Sequence, residues 1–172
     1  MADRVSDFLA QWARERPDLD TTPMGVIGRL SRVEEIAGRT LQATFRGFGL
    51  HRGEFDTLAT LRRSGSPFTL TPGELAASSM VTGAAMTNRL QRLEDKGLLE
   101  RTMDPSNRRR VLVRLTDAGR ELVDEVVVPH VRAEQELLDA RLTREEQAQL
   151  AGLLARFLES SGDVSTHDTS KD

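Results

Sequence analysis

The chain has 172 residues, with 24 Lys or Arg against 27 Asp or Glu, a net charge of −3 and no cysteine. That length fits one domain with an extension and is enough to bury a sizeable core, while the missing cysteine excludes disulfides, thiolate metal sites and a cysteine nucleophile. No apolar run approaches the length of a bilayer span and no basic-then-apolar leader opens the chain, so a cytoplasmic protein without membrane attachment is expected.

Val5, Phe8, Leu9 and Trp12 fall at i, i+3, i+4 and i+7, which predicts an N-terminal amphipathic helix ended by Arg16-Pro17-Asp18. From Thr22-Pro23-Met24 a longer helix follows, with Ile27, Leu30, Val33, Ala37, Leu41 and Phe45 on one stripe and Gly47, Phe48 and Gly49 closing it. Gly25, Gly28 and Gly38 weaken this helix by up to about 1 kcal/mol each relative to alanine, so packing must hold it. Arg52 to Arg63 is the next helix, burying Phe55, Leu58, Ala59 and Leu61. Ser64-Gly65-Ser66-Pro67 breaks it, and Phe68-Thr69-Leu70 reads as a short edge strand.

The stretch from Thr71 to Thr116 carries the most information. Thr71-Pro72-Gly73-Glu74 is a capping box with proline at the first helical position. Its helix stops near Ser78-Ser79-Met80-Val81, and a second helix runs from Thr82 to Lys96 with Gly97 as its C-terminal cap. Two helices joined by so short a turn have the geometry of a helix-turn-helix. Leu98 to Met103 and Val111 to Leu115 then read as strands, and the loop between them, Asp104-Pro105-Ser106-Asn107-Arg108-Arg109-Arg110, is a wing tipped with arginine. Between Thr82 and Arg114 eight Lys or Arg stand against four Asp or Glu, so a basic face sits on an acidic body. Beyond the wing, Thr116-Asp117 caps a long helix containing Pro129, where a kink is expected, and Thr143-Arg144-Glu145-Glu146 opens a last helix with Leu150, Leu153, Leu154, Phe157 and Leu158 on a wide apolar stripe. Such a stripe needs a partner, for which a second copy of the chain is the economical choice.

Thr87-Asn88-Arg89-Leu90 with Leu93-Glu94, Gly97-Leu98-Leu99-Glu100-Arg101, the wing from Asp104-Pro105 to Arg110, and Val113-Arg114-Leu115-Thr116-Asp117-Ala118-Gly119 together resemble the MarR family of bacterial winged-helix transcriptional regulators. The resemblance implies a mainly α (α+β) fold, a winged helix-turn-helix with a helical dimerisation region in an intertwined homodimer. The expected layout is an added N-terminal helix at 1–20, a MarR-type domain at 21–160 with the winged helix-turn-helix at about 50–116, and a disordered tail at 161–172. The added helix with its tryptophan resembles the urate-responsive branch of the family.

A symmetric dimer presents two recognition helices to successive major grooves of double-stranded DNA, about 34 Å apart, so a palindromic operator is expected. Thr82, Thr87, Asn88 and Arg92 carry suitable donors for bases or phosphates, Met86 suits a thymine methyl, and Arg108, Arg109 and Arg110 suit phosphates or a narrow minor groove. Resemblance to the urate-responsive branch marks Trp12, Asp56, Arg89 and Arg101 for a small anionic aromatic ligand such as urate, whose charge would displace an Asp56–Arg pair. The same residues also read structurally, Trp12 as packing and the arginines as ion-paired to Asp56 or Glu94. The leading expectation is a ligand-released repressor. An architectural or weakly specific DNA-binding protein without an effector is the alternative. His51, His130 and His167 are scattered, so no enzyme, metal or cofactor is expected.

Overall fold

Local capping sets most of the helix starts. In the computed structural model, which describes residues 2–79 and 86–163, Asp3 accepts the Ser6 N–H at 2.8 Å ahead of α1 (Arg4–Glu15). Proline near the N-terminus opens α2 (Thr22–Arg46). The Glu54 carboxylate accepts the His51 N–H at 3.0 Å at the head of α3 (Arg52–Arg63). The short strand β1 (Thr69–Leu70) leads to the reciprocal Thr71 and Glu74 bonds, 3.2 and 2.7 Å, that start α4 (Pro72–Ser78). Then follow α5 (Met86–Asp95), β2 (Leu99–Asp104), β3 (Asn107–Leu115), α6 (Asp117–Asp139) and α7 (Arg144–Ser160), the last capped by Thr143 and Glu146. α6 continues through Pro129.

The chain divides into two compact units, Met1–Ala133 and Glu134–Asp172. In the first, the antiparallel sheet has the order β1-β3-β2, with Thr69 opposite Arg114 and Leu99 opposite Leu115. Phe45, Leu58, Leu61, Leu75, Leu93 and Val113 form its core together with Val123 and Val126 of α6. α3 is buried almost all round, including Glu54, Asp56, Thr57 and Thr60. Two glycines of α2 have their explanation here: a Cβ at Gly28 would stand 3.2 Å from Val5, and one at Gly25 3.1 Å from Leu9, so the missing Cβ atoms let α1 lie close. Asp3 and Arg29 clasp the same two helices at 2.8 Å, and the Ser6 N–H and that guanidinium hold the Asp3 carboxyl down at about 2. In the second unit, Arg144 pairs with Asp139 at 3.2 Å, and no residue of α7 is buried.

Two expectations change. The wing is a tight turn at Pro105-Ser106, and β3 begins at Asn107, four residues earlier than Val111, so Arg108, Arg109 and Arg110 lie on the strand. Asp104 closes that turn by accepting from the Ser106 N–H at 2.8 Å and the Ser106 hydroxyl at 2.6 Å. The apolar stripe of α2 is buried only at Leu41 and Phe45, while Ile27, Leu30 and Val33 are exposed.

Candidate nucleic-acid interface

α4 and α5 are the two helices of the expected helix-turn-helix. The segment 80–85 between them, and with it Thr82, lies outside the described residues. α5 sorts its side chains by face: Leu90 and Leu93 enter the core, whereas Thr87, Asn88, Gln91 and Arg92 are exposed at i, i+1, i+4 and i+5. Met86, expected to meet a thymine methyl, is 8 % exposed and belongs to the core, because it lies one turn before Leu90 on the inward face.

Three charged side-chain contacts, one of them packing alone, position α5. Near its start the Arg89 guanidinium lies on Gly53 of α3, where an added Cβ would be 2.8 Å from Arg89 Nε. Arg89 is 6 % exposed, and its buried Nη1 has no hydrogen-bond partner among the described residues. Further along, Arg101 of β2 donates to Glu94 through Nε at 3.0 Å and through Nη2, and to Gln91 through Nη2 at 2.5 Å. The Arg101 hydrogen bond holds the Glu94 carboxyl below its ordinary range, and Glu94 pushes Arg101 up in return. Past its end, Lys96 Nζ donates to Gly49 O and to Glu54 Oε2, both at 2.9 Å, and Arg92 Nε stands 3.4 Å from Glu54 Oε1. Burial works to raise the Glu54 carboxyl, but the Lys96 ammonium and the His51 backbone N–H outweigh it and hold it below its ordinary range.

The wing's arginines divide. Arg110 Nη2 donates to Glu74 of α4 at 2.9 Å. The Thr71 backbone N–H and hydroxyl, with Arg110 behind them, keep that carboxyl low. Arg108 and Arg109 are exposed and form no ion pair among the described residues, leaving both cations at the end of the hairpin for an external anion.

Of the four ligand candidates, Arg89 and Asp56 come to one region: Asp56 is buried on α3, one turn after the Gly53 that receives Arg89. Arg101 turns to Glu94 instead, as its structural reading expected. Trp12 is 42 % exposed on α1 and its indole N–H makes no hydrogen bond among the described residues. Glu54, Lys96 and Gly53 went unmarked by sequence reasoning. His51-x-x-Glu54 has the spacing of a capping box, but a histidine at the cap masks the signal.

A short helix, a second helix with a sorted outward face and a hairpin offering two cations define a winged helix-turn-helix protein. The chain belongs to the MarR family. The pattern described as MarR_2, MarR family, matches residues 48–110. The HTH-type transcriptional regulator PecS of Dickeya dadantii is 43% identical over 152 residues, which cover 88% of this chain and 91% of PecS. Two solved structures share the fold. A mutant E. coli MarR complexed with operator DNA aligns with a TM-score of 0.69 at 29% identity, covering 86% of this chain and 97% of that one. Bordetella bronchiseptica BpsR, whose DNA binding is regulated by 6-hydroxynicotinic acid, aligns with a TM-score of 0.69 at 27% identity, covering 77% of this chain and 91% of BpsR. No helix among the described residues is long and apolar enough to cross a membrane.

Proposed function

We propose that the protein is a sequence-specific transcriptional repressor that binds a palindromic operator as a homodimer and is released from it by a small anionic aromatic ligand. The observation that carries this reading is the pairing of an exposed α5 face, Thr87, Asn88 and Arg92, with Arg108 and Arg109 on an adjoining wing. Amide and guanidinium groups on such a helix read adenine and guanine edges, and wing cations take phosphates or the minor groove. Dimerisation has its support in apolar surface left open on the chain: Phe8 of α1, Val26 and Ile27 of α2, Val128 and Val131 of α6, and Phe157 of α7 are all exposed. Covering it with a second copy hides it from water and sets two recognition helices on one DNA duplex. The added helix at 1–20, the regulator domain at 21–160 and a cytoplasmic location belong to the same reading.

Arg89 supports the ligand half of the proposal. A buried guanidinium whose Nη1 has no hydrogen-bond partner among the described residues favours a planar carboxylate or urate-like anion, and Asp56, buried one turn along α3 from the Gly53 that receives Arg89, supplies a carboxylate that such an anion would repel. Because Arg89 is part of α5, an anion drawn to it acts directly on the DNA-reading helix. The acid named for BpsR is of this planar aromatic class. Trp12 is the candidate stacking surface.

The test is operator anisotropy titrated with urate, 6-hydroxynicotinate and an uncharged aromatic. One of the two anions is expected to weaken operator binding at least about tenfold, a coupling of about 1.4 kcal/mol, with the uncharged ring inert. Arg89→Lys, which keeps a cation but loses the fork, is expected to bind operator and lose most of the response. Undiminished release from Arg89→Lys would contradict the assignment.

A further inference from the structure

The most unusual buried group in the first unit is the Glu54 carboxylate. It is 1 % exposed, yet it accepts the His51 N–H at 3.0 Å and Lys96 Nζ at 2.9 Å on one oxygen and faces Arg92 Nε at 3.4 Å with the other. We propose that Glu54 is a positioning residue for DNA reading: it pins the C-terminal end of α5 through Lys96 and holds Arg92 in the pose from which that side chain meets DNA. The proposal rests on the DNA-binding reading above and names how one of its contacts is kept in place.

The geometry separates this role from plain stabilisation. Leu90 and Leu93 already seat α5 in the core, and Arg101 already ties it to β2 through Glu94. Apolar side chains at position 54 would fill the same space without the desolvation of a carboxylate, so the charge adds direction more than cohesion. Lys96 fastens to a side chain and a backbone segment at once, because beside the Glu54 carboxylate its Nζ also donates to Gly49 O at 2.9 Å in the turn before α3. Those bonds fix the helix end against rolling about the Leu90–Leu93 contact. Arg92 Nε stands at ion-pair distance, 3.4 Å, from Glu54 Oε1, an oxygen that accepts no hydrogen bond among the described residues, while the Arg92 side chain stays 56 % exposed and reachable from outside. An exposed guanidinium drawn to a fixed buried carboxylate on its Nε side samples fewer poses and is predisposed to a guanine edge.

The experiment uses the full chain with Glu54→Gln, which keeps the size and an oxygen for the His51 N–H and removes the charge. Binding is measured on operator and on random duplex, with amide exchange at Lys96, Gly97 and Leu98 as a readout independent of DNA. Operator affinity is expected to fall about tenfold with random-duplex affinity within about twofold of wild type, so discrimination falls by the same factor. Exchange at the three amides is expected to rise about tenfold with a cooperative unfolding transition retained. Lys96→Met, at an exposed position, is expected to repeat the loss of discrimination, and the double variant to lose no more than Glu54→Gln alone. Wild-type discrimination in Glu54→Gln overturns the proposal, as does full additivity in the double variant. Should Glu54→Gln fail to fold, Lys96→Met decides: retained discrimination and unchanged exchange overturn the clamp. If wild type itself does not distinguish operator from random duplex, the DNA-reading function fails, while exchange at the helix end still confirms or refutes the clamp.

Discussion

Gly119→Ala is expected to destabilise the fold by about 2–3 kcal/mol, an overpacking cost of that order net of the gain that alanine brings to a helix interior. A Cβ at Gly119 would lie 1.9 Å from the Leu98 carbonyl oxygen and 2.9 Å from its carbon, with Leu115 Cδ2 at 3.2 Å. The obstacle is backbone, so no rotamer change relieves it. The two segments are also stitched together around the clash: Thr116 N donates to Leu98 O at 3.3 Å, Thr116 Oγ1 donates to Gly97 O at 2.8 Å, and Gly119 N donates to that hydroxyl at 3.0 Å. The first turn of α6 therefore sits on the entry to β2, immediately after the end of α5. Thermal unfolding should show a midpoint lowered by about 4–12 °C for a chain of this size. Gly152→Ala is the control: nothing stands within 4 Å of its added Cβ in α7, so it should stabilise slightly, by up to about 1 kcal/mol. Equal stability of Gly119→Ala and wild type would contradict the close approach.

The largest expected effect on DNA binding comes from Arg108→Glu with Arg109→Glu. Both side chains are exposed and outside any ion pair among the described residues, so the fold should not notice their loss. DNA should. Two arginines on each of two wings are about four phosphate-range contacts, and releasing fewer counterions lowers the slope of log affinity against log salt by about 3.6. Affinity at low salt is expected to fall by at least about a hundredfold, since each site also gains repulsion. Arg110→Ala is the instructive comparison, because Arg110 is held by Glu74 at 2.9 Å and should cost wing placement with a smaller change in slope. An unchanged slope in the double charge reversal would remove the wing from the interface.

Much of this was legible in the sequence because local chemistry decided it. α3 spans Arg52–Arg63, as Gly49 before it and Ser64-Gly65-Ser66-Pro67 after it predict, and α4 begins where Thr71 and Glu74 cap it. β3 starts four residues before the expected Val111: three arginines in a row look like a loop in sequence, while Asp104 closes the turn on Ser106. Met86 has the right residue type for a groove but the wrong helical phase, and only the positions of Leu90 and Leu93 reveal it. Glu54 escaped notice for a different reason. Its role depends on Lys96 and Arg92, about forty residues further on, and no local pattern joins residues so far apart. The glycines of α2 read as helix weakeners in the sequence, and only the neighbours across Gly25 and Gly28 show what they permit.

Hydroxyl-radical footprinting of the full chain on duplexes from its own upstream intergenic region tests sequence-specific, dimeric DNA binding most directly. Two symmetric protected blocks about 34 Å apart, one helical turn of DNA, are expected over an inverted repeat, with flanking minor-groove protection that disappears in the Arg108→Glu, Arg109→Glu protein. Uniform protection that ignores sequence, or a single block with no symmetric mate, would contradict it.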